Sequence, residues 1–117
     1  MKVEQISPNV INLSMVRGDS ETITVKANSG GQQIDLEFGD TVYFTVKLNT
    51  SVEAKLFQKV VTTFDAGIAV IEILPEDTKL LAPKAYRYDI QWVSAAGRVT
   101  TIVHPSIFTV EPEVTFE

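Results

Sequence analysis

Short runs of alternating apolar and polar residues dominate the chain. In "ETITVKA", Ile23, Val25 and Ala27 fall on one side and Thr22, Thr24 and Lys26 on the other. In "TVYFTVKL", Val42, Phe44, Val46 and Leu48 oppose Tyr43, Thr45 and Lys47. In "AYRYDIQWV", Tyr86, Tyr88, Ile90 and Trp92 oppose Arg87, Asp89 and Gln91. A period of two is the signature of a half-buried strand, and the Val, Ile, Thr, Phe and Tyr content suits a pleated surface. "GIAVIEIL" puts Ala69, Ile71 and Ile73 on one side, but Ile68, Val70 and Leu74 are apolar too, which predicts a strand covered on both faces. Weaker strands are expected over Val10–Met15, Ala54–Val61, Arg98–Val103 and Ser106–Val110.

Turn residues separate these runs: Gly18-Asp19, Ser29-Gly30-Gly31, Gly39-Asp40, Asp65-Ala66-Gly67 and Ala96-Gly97. Eight short strands punctuated in this way predict an all-β, antiparallel two-sheet sandwich, in which each sheet hides its apolar face against the other. One segment departs from the pattern. In "LPEDTKLLAPKAY", Pro75 stands near the start of a single helical turn, with Asp77 or Thr78 as its cap. The turn is expected to be a crossover between the sheets, with Leu80 and Leu81 on the core.

The 117 residues suit one domain spanning 1–117, long enough to bury a core. No apolar run approaches the roughly 18 residues of a membrane span. The opening "MKVEQISPNV" lacks the apolar stretch of a secretory signal, so an intracellular origin is expected. The absence of cysteine excludes disulfides, thiolate catalysis and cysteine-based zinc sites. The net charge of −5, with basic residues scattered singly, argues against nucleic acid as a partner.

Candidate chemistry is sparse. Arg17-Gly18-Asp19 spells an adhesion tripeptide, but it sits in a three- or four-residue connection between predicted strands. It reads better as a turn in which Gly18 supplies an unusual backbone angle and Asp19 or Ser20 bonds the local backbone. His104 is the sole histidine and precedes Pro105 at a strand end, and no Gly-x-Ser-x-Gly turn offers it a nucleophile. Carboxylates gather at Asp35, Glu37 and Asp40, at Glu76 and Asp77, and at Glu111, Glu113 and Glu117, without the spacing of a calcium loop. Tyr86, Tyr88 and Trp92 share a face with Ile90, which marks them as core. Tyr43 is the one aromatic left for a sugar platform. No catalytic, cofactor-binding or metal-binding residue emerges, no cofactor is implied, and partner-binding residues are not identified.

Taken in order, the motifs resemble a known group. "MVRGDSETITV" places a Gly-Asp turn before a strand, and Ile34-Asp35-Leu36 leads into Val42-Tyr43-Phe44-Thr45-Val46-Lys47. Asp77-Thr78, Leu80-Leu81 and Tyr86-Arg87-Tyr88-Asp89-Ile90 follow, then Ala96-Gly97 and Phe108-Thr109-Val110. The set, from about Ser14 to Glu111, is similar to small immunoglobulin-like domains encoded by tailed phages and prophages of Gram-positive bacteria, in particular the N-terminal domain of baseplate upper proteins. The resemblance implies an immunoglobulin-like sandwich and a non-enzymatic virion structural protein, made in the bacterial cytoplasm and placed in the tail or baseplate. It implies an assembly or adaptor module whose partners are other tail and baseplate proteins; either a homo-oligomer or a monomer that assembles only on the particle fits, and charge and the lack of an apolar run add no nucleic-acid or membrane partner. The strands Val10–Met15 and Ser106–Val110 are the expected docking edges. The alternative is an immunoglobulin-like module for cell-surface carbohydrate, centred on Tyr43.

Overall fold

In the computed structural model of the protein, residues 2–4, 10–29 and 32–115 are described. They form strands β1 (Lys2–Glu4), β2 (Leu13–Val16), β3 (Glu21–Ser29), β4 (Gln32–Ile34), β5 (Thr41–Lys47), β6 (Lys55–Val61), β7 (Ala69–Ile73), β8 (Lys84–Val93) and β9 (Val99–Glu111). A single helical turn, α1 (Pro75–Thr78), interrupts them. In the smaller sheet β3 pairs with β1, β4 and β7; the larger runs β2-β9-β8-β5-β6. The turn expected at Gly30-Gly31, and Glu117, lie outside the described residues.

The predicted alternation is what closes the sandwich. Ile23, Val25 and Ala27 of β3 and Ala69, Ile71 and Ile73 of β7 are buried against Val42, Phe44 and Val46 of β5 and Tyr86, Tyr88 and Ile90 of β8. Phe44 lies at the centre of an aromatic group, 5.2 Å from the Tyr88 ring and 6.1 Å from Phe108, which meets it edge-on at 81°. Each fully buried side chain of this size contributes roughly 1.5–3 kcal/mol. Burial also pushes the Tyr88 phenol above its ordinary range.

Several expectations are corrected. Two pairings are parallel, β1 with β3 and β2 with β9. Tight hairpins enforce antiparallel neighbours, but β1 and β2 reach their partners through long stretches of chain, so no turn fixes their direction. Arg98–Val103 and Ser106–Val110 are one strand, because His104 and Pro105 together oppose Asp89 in a bulge that accommodates the missing Pro N–H. The Val10–Met15 strand begins only at Leu13. Before it, side chains do the joining: the Ile11 N–H donates to Ser106 Oγ (3.1 Å), the Tyr88 hydroxyl donates to the Ile11 carbonyl, and the Ile107 N–H donates to Asn12 Oδ1 (2.9 Å).

Of the two expected edges, Val10–Met15 is one, since its β2 portion borders the larger sheet, and Ser106–Val110 is not. They pair with each other, and β9 lies inside the sheet between β2 and β8. The border at the opposite end of that sheet is β6. The β7 segment is covered on one face only, since Val70 and Leu74 are exposed. Leu48 is exposed as well.

The helical crossover joins β7 to β8, one from each sheet, as its position predicts. Its cap differs from expectation. Leu74 is the N-cap residue, Asp77 lies inside the turn, and its carboxylate reaches back to accept the Leu74 N–H at 2.7 Å. Leu81 packs against the core, whereas Leu80 is 95% exposed and Thr78 takes the buried position. The cause is polar: Thr78 Oγ1 is needed inside, as an acceptor for the Gly18 N–H.

Candidate interaction site

Two turns in this chain have the form X-Gly-Asp, and each opens a strand: Arg17-Gly18-Asp19 before β3 and Phe38-Gly39-Asp40 before β5. Both glycines have positive φ, +82° and +94°, which only glycine adopts without strain.

In the first turn the side chain ahead of the glycine is turned inward. The Arg17 guanidinium donates through Nε to Glu113 Oε1 (3.0 Å) and pairs through Nη2 with the same oxygen (2.9 Å). Its Nη1 donates to the Leu81 carbonyl (3.3 Å). This hydrogen bonding holds the Glu113 carboxyl below its usual range. Backbone bonds complete the turn: Arg17 N–H to the Glu111 carbonyl (2.8 Å) and Asp19 N–H to the Val16 carbonyl (3.1 Å). The turn reading of the tripeptide holds, but the agent is Arg17, which ties the start of β3 to the chain after β9 and to the segment after α1. A guanidinium committed in this way is not presented to a receptor.

The second turn is reversed. Asp40 is buried, and both its oxygens accept: Oδ2 from the Glu37 N–H (2.9 Å) and Oδ1 from the Ala95 N–H (3.0 Å). The Asp40 N–H closes the turn onto the Glu37 carbonyl (3.0 Å). A Cβ added to Gly39 would stand 2.8 Å from Ala95 Cβ, so this turn is seated hard against the β8–β9 turn. The result is a fixed platform with Phe38 at its tip, 100% exposed. Beside it lies a hollow of about 240 Å³ lined by Leu36, Phe38, Thr62, Thr63 and Phe64. The next, of about 330 Å³, is lined by Val61, Thr63, Phe64, Asp65, Ile68 and Val70. Sequence reasoning passed over Phe38, reading only Gly39-Asp40 as a turn and Glu37 and Asp40 as carboxylates. The available signal was the contrast with "VRGD", an apolar residue in place of a charged one at the same turn position.

The larger sheet carries the other candidates. Tyr43 is half-buried, cross-strand from Gln91 and Val60, and does not stand proud as a stacking platform. Lys47, Arg87 and Asp89 line a cleft of about 130 Å³ with Thr45, Asn49 and Pro105. Burial raises the Asp89 carboxyl, and the nearby Lys47 charge partly offsets this. Trp92 is half-buried at the margin of the core, with its Nε1 enclosed and unbonded. His104 is exposed, and its carbonyl accepts the Ser106 hydroxyl (2.7 Å).

The carboxylate groups do not converge. Asp35 takes the Gln33 amide (3.1 Å), Asp77 pairs with Lys59 (2.7 Å), Glu113 is held by Arg17, and Asp40 serves its turn. Among the described residues no three acidic or histidine side chains cluster as a metal site. No helix among them is long and apolar enough to cross a membrane.

No protein-family model matches the sequence, and no curated protein matches it. Among solved structures the chain is similar to the N-terminal domain of phage TP901-1 ORF48, with a TM-score of 0.58 and 17% identity over 94% of this chain and 94% of that one. At this identity the likeness is one of fold. It meets the resemblance drawn from the ordered motifs, since a phage domain has the same sandwich over nearly its full length.

Proposed function

We propose that this protein is a non-enzymatic structural component of a phage or prophage particle, an assembly or adaptor module of the tail or baseplate that works through protein–protein contacts. The observation that carries the reading is the shared fold with a phage N-terminal domain across 94% of both chains. The side-chain arrangement supports it. The polar groups that sequence reading singled out are largely spent on holding turns and strands, while a rigid turn offers a bare aromatic ring to the outside. Fixed aromatic anchors are characteristic of protein-docking surfaces. Tyr43 gives the carbohydrate alternative no support, being half-buried within its sheet.

The test is made on particles. Prophage induction in the bacterium that encodes the chain, followed by density-gradient purification and immunoblotting, should find the protein co-sedimenting with tailed particles. Immunogold should then label the tail or baseplate. Abundant soluble protein with none on intact particles would overturn the reading.

A further inference from the structure

We propose that the cleft on β5 and β8, with Lys47 and Arg87 in its walls, binds carboxylate side chains of an acidic segment on a partner protein. The inference deepens the assembly reading by naming the chemistry of a partner and the surface that takes it. It rests on that reading only for the claim that the partner belongs to a particle.

The first observation is a row of cations. The alternation that buries Val46 and Tyr88 turns Lys47 and Arg87 outward. Strand register sets Lys47 of β5 opposite Arg87 of β8 on one side and opposite Lys55 of β6 on the other. Directly opposed residues stand roughly 4.5–5.5 Å apart at Cβ, and like charges at that spacing repel. Such a row is costly, and it runs against a net charge of −5. The fold leaves it uncompensated. Arg17 and Lys59 each hold a carboxylate, whereas among the described residues Lys47, Lys55 and Arg87 form no salt bridge. The Lys47 charge reaches Asp89, but three cations face that one acid.

The second observation is the sense of the hydrogen-bonding groups. Asn49 Oδ1 accepts the Ser51 N–H (2.9 Å), which fixes the amide and leaves its hydrogens to donate. Lys55 Nζ donates to Gln58 Oε1 (3.2 Å), and Gln58 Nε2 donates to Thr45 Oγ1 (2.9 Å). This chain ends on the Thr45 hydroxyl, whose own proton is left to donate. Thr45, Lys47, Asn49 and Arg87 all line the cleft, and the described residues supply no acceptor for these four donors. A positively charged site made of donors calls for an anionic acceptor.

The surroundings select a carboxylate carried on a protein. The cleft holds about 130 Å³, close to the roughly 150 Å³ that houses a benzene ring, so one acidic side chain fills it. The planar Arg87 fork matches a carboxylate through two parallel bonds. Asp89 in the same cleft repels the second charge of a phosphate dianion. The net charge of −5 repels a nucleic acid, and it repels a second copy of this chain as well. An acidic segment of another protein avoids these costs. One carboxylate enters between Lys47 and Arg87, and its neighbour meets the exposed Lys55.

The test is a proton–nitrogen NMR titration of the purified protein in about 0.15 M salt. The probe is capped tetraglutamate, with inorganic phosphate and oligothymidylate as comparators. Saturable shifts are expected at Thr45, Lys47, Asn49, Thr50, Arg87 and Asp89, with a Kd on the order of millimolar. The double variant Lys47→Gln, Arg87→Gln should weaken binding roughly tenfold. It should melt no lower than wild type, since it removes two opposed cations, whereas a purely structural role would lower the midpoint. The control Lys79→Gln, Arg98→Gln removes two exposed cations elsewhere and should bind as wild type. Shifts scattered over all the lysines, no saturation up to about 20 mM probe, tighter binding of phosphate or oligothymidylate, or a lower midpoint in the cleft variant would each overturn the proposal. None of these outcomes bears on whether the protein co-sediments with particles, so the two readings fail separately.

Discussion

The Arg17 and Phe38 turns are built from the same three-residue plan and do opposite things with it. In the first, the residue before the glycine is a cation that folds back onto Glu113 and Leu81, and Asp19 is left exposed. In the second, the aspartate goes inside to Glu37 and Ala95, and the residue before the glycine is left fully exposed. One turn closes the molecule; the other presents a side chain. The local sequence dictates the backbone path in both. Which flanking side chain faces inward is decided by distant partners, a carboxylate at position 113 or an amide at position 95.

Substitutions at matched positions should separate the two designs. The largest effect is expected at Asp40. Asp40→Ala strands two backbone N–H groups that its carboxylate now serves, and should cost about 3 kcal/mol in equilibrium denaturation. Asp19→Ala, its counterpart on the other turn, should fall within about 0.5 kcal/mol of wild type.

Next come the glycines. Gly39→Ala combines a φ of +94° with a Cβ only 2.8 Å from Ala95 Cβ, and should cost about 2 kcal/mol. Gly18→Ala has a similar φ but open space around the new Cβ, and should cost about 1 kcal/mol. Adding Ala95→Gly should rescue part of the Gly39→Ala loss and none of the Gly18→Ala loss. Equal costs at the two glycines would erase the contrast.

Arg17→Ala should cost less than either glycine substitution, because its partner Glu113 is open to solvent screening. Here pH sharpens the comparison. The Glu113 carboxyl is held below its ordinary value of 4.5 in the folded protein by the Arg17 hydrogen bond, so its contribution is present above that value. It is lost as pH falls through the lower, folded-state pKa. The stabilities of wild type and Arg17→Ala should therefore converge as pH drops below 4.5, in denaturation curves taken across that range.

Much of the sandwich was legible because burial follows alternation so closely. The inward sets of β3, of β5 as far as Val46, and Ala69, Ile71 and Ile73 of β7 were readable residue by residue, whereas Leu48 and the outer face of β7 were not. The misreadings came from interactions between distant segments. Nothing near Leu80 announces that Thr78 will take the buried position, because the reason is an amide sixty residues earlier. His104-Pro105 looks like a break between strands unless the facing Asp89 bulge is known. The pairing of β2 with β9 joins the two ends of the chain and carries no turn signal. Phe38 was hidden for a different reason: sequence patterns identify what is buried far better than what a rigid turn leaves outside.

The proposed assembly role predicts that the exposed Phe38 ring is needed on the particle and dispensable for folding. The measurement that tests it most directly is the particle-bound fraction of Phe38→Ser, expressed in place of wild type and compared at matched stability. An unchanged denaturation midpoint and at least a tenfold drop in protein recovered on gradient-purified particles are expected. Wild-type incorporation of the variant would contradict it.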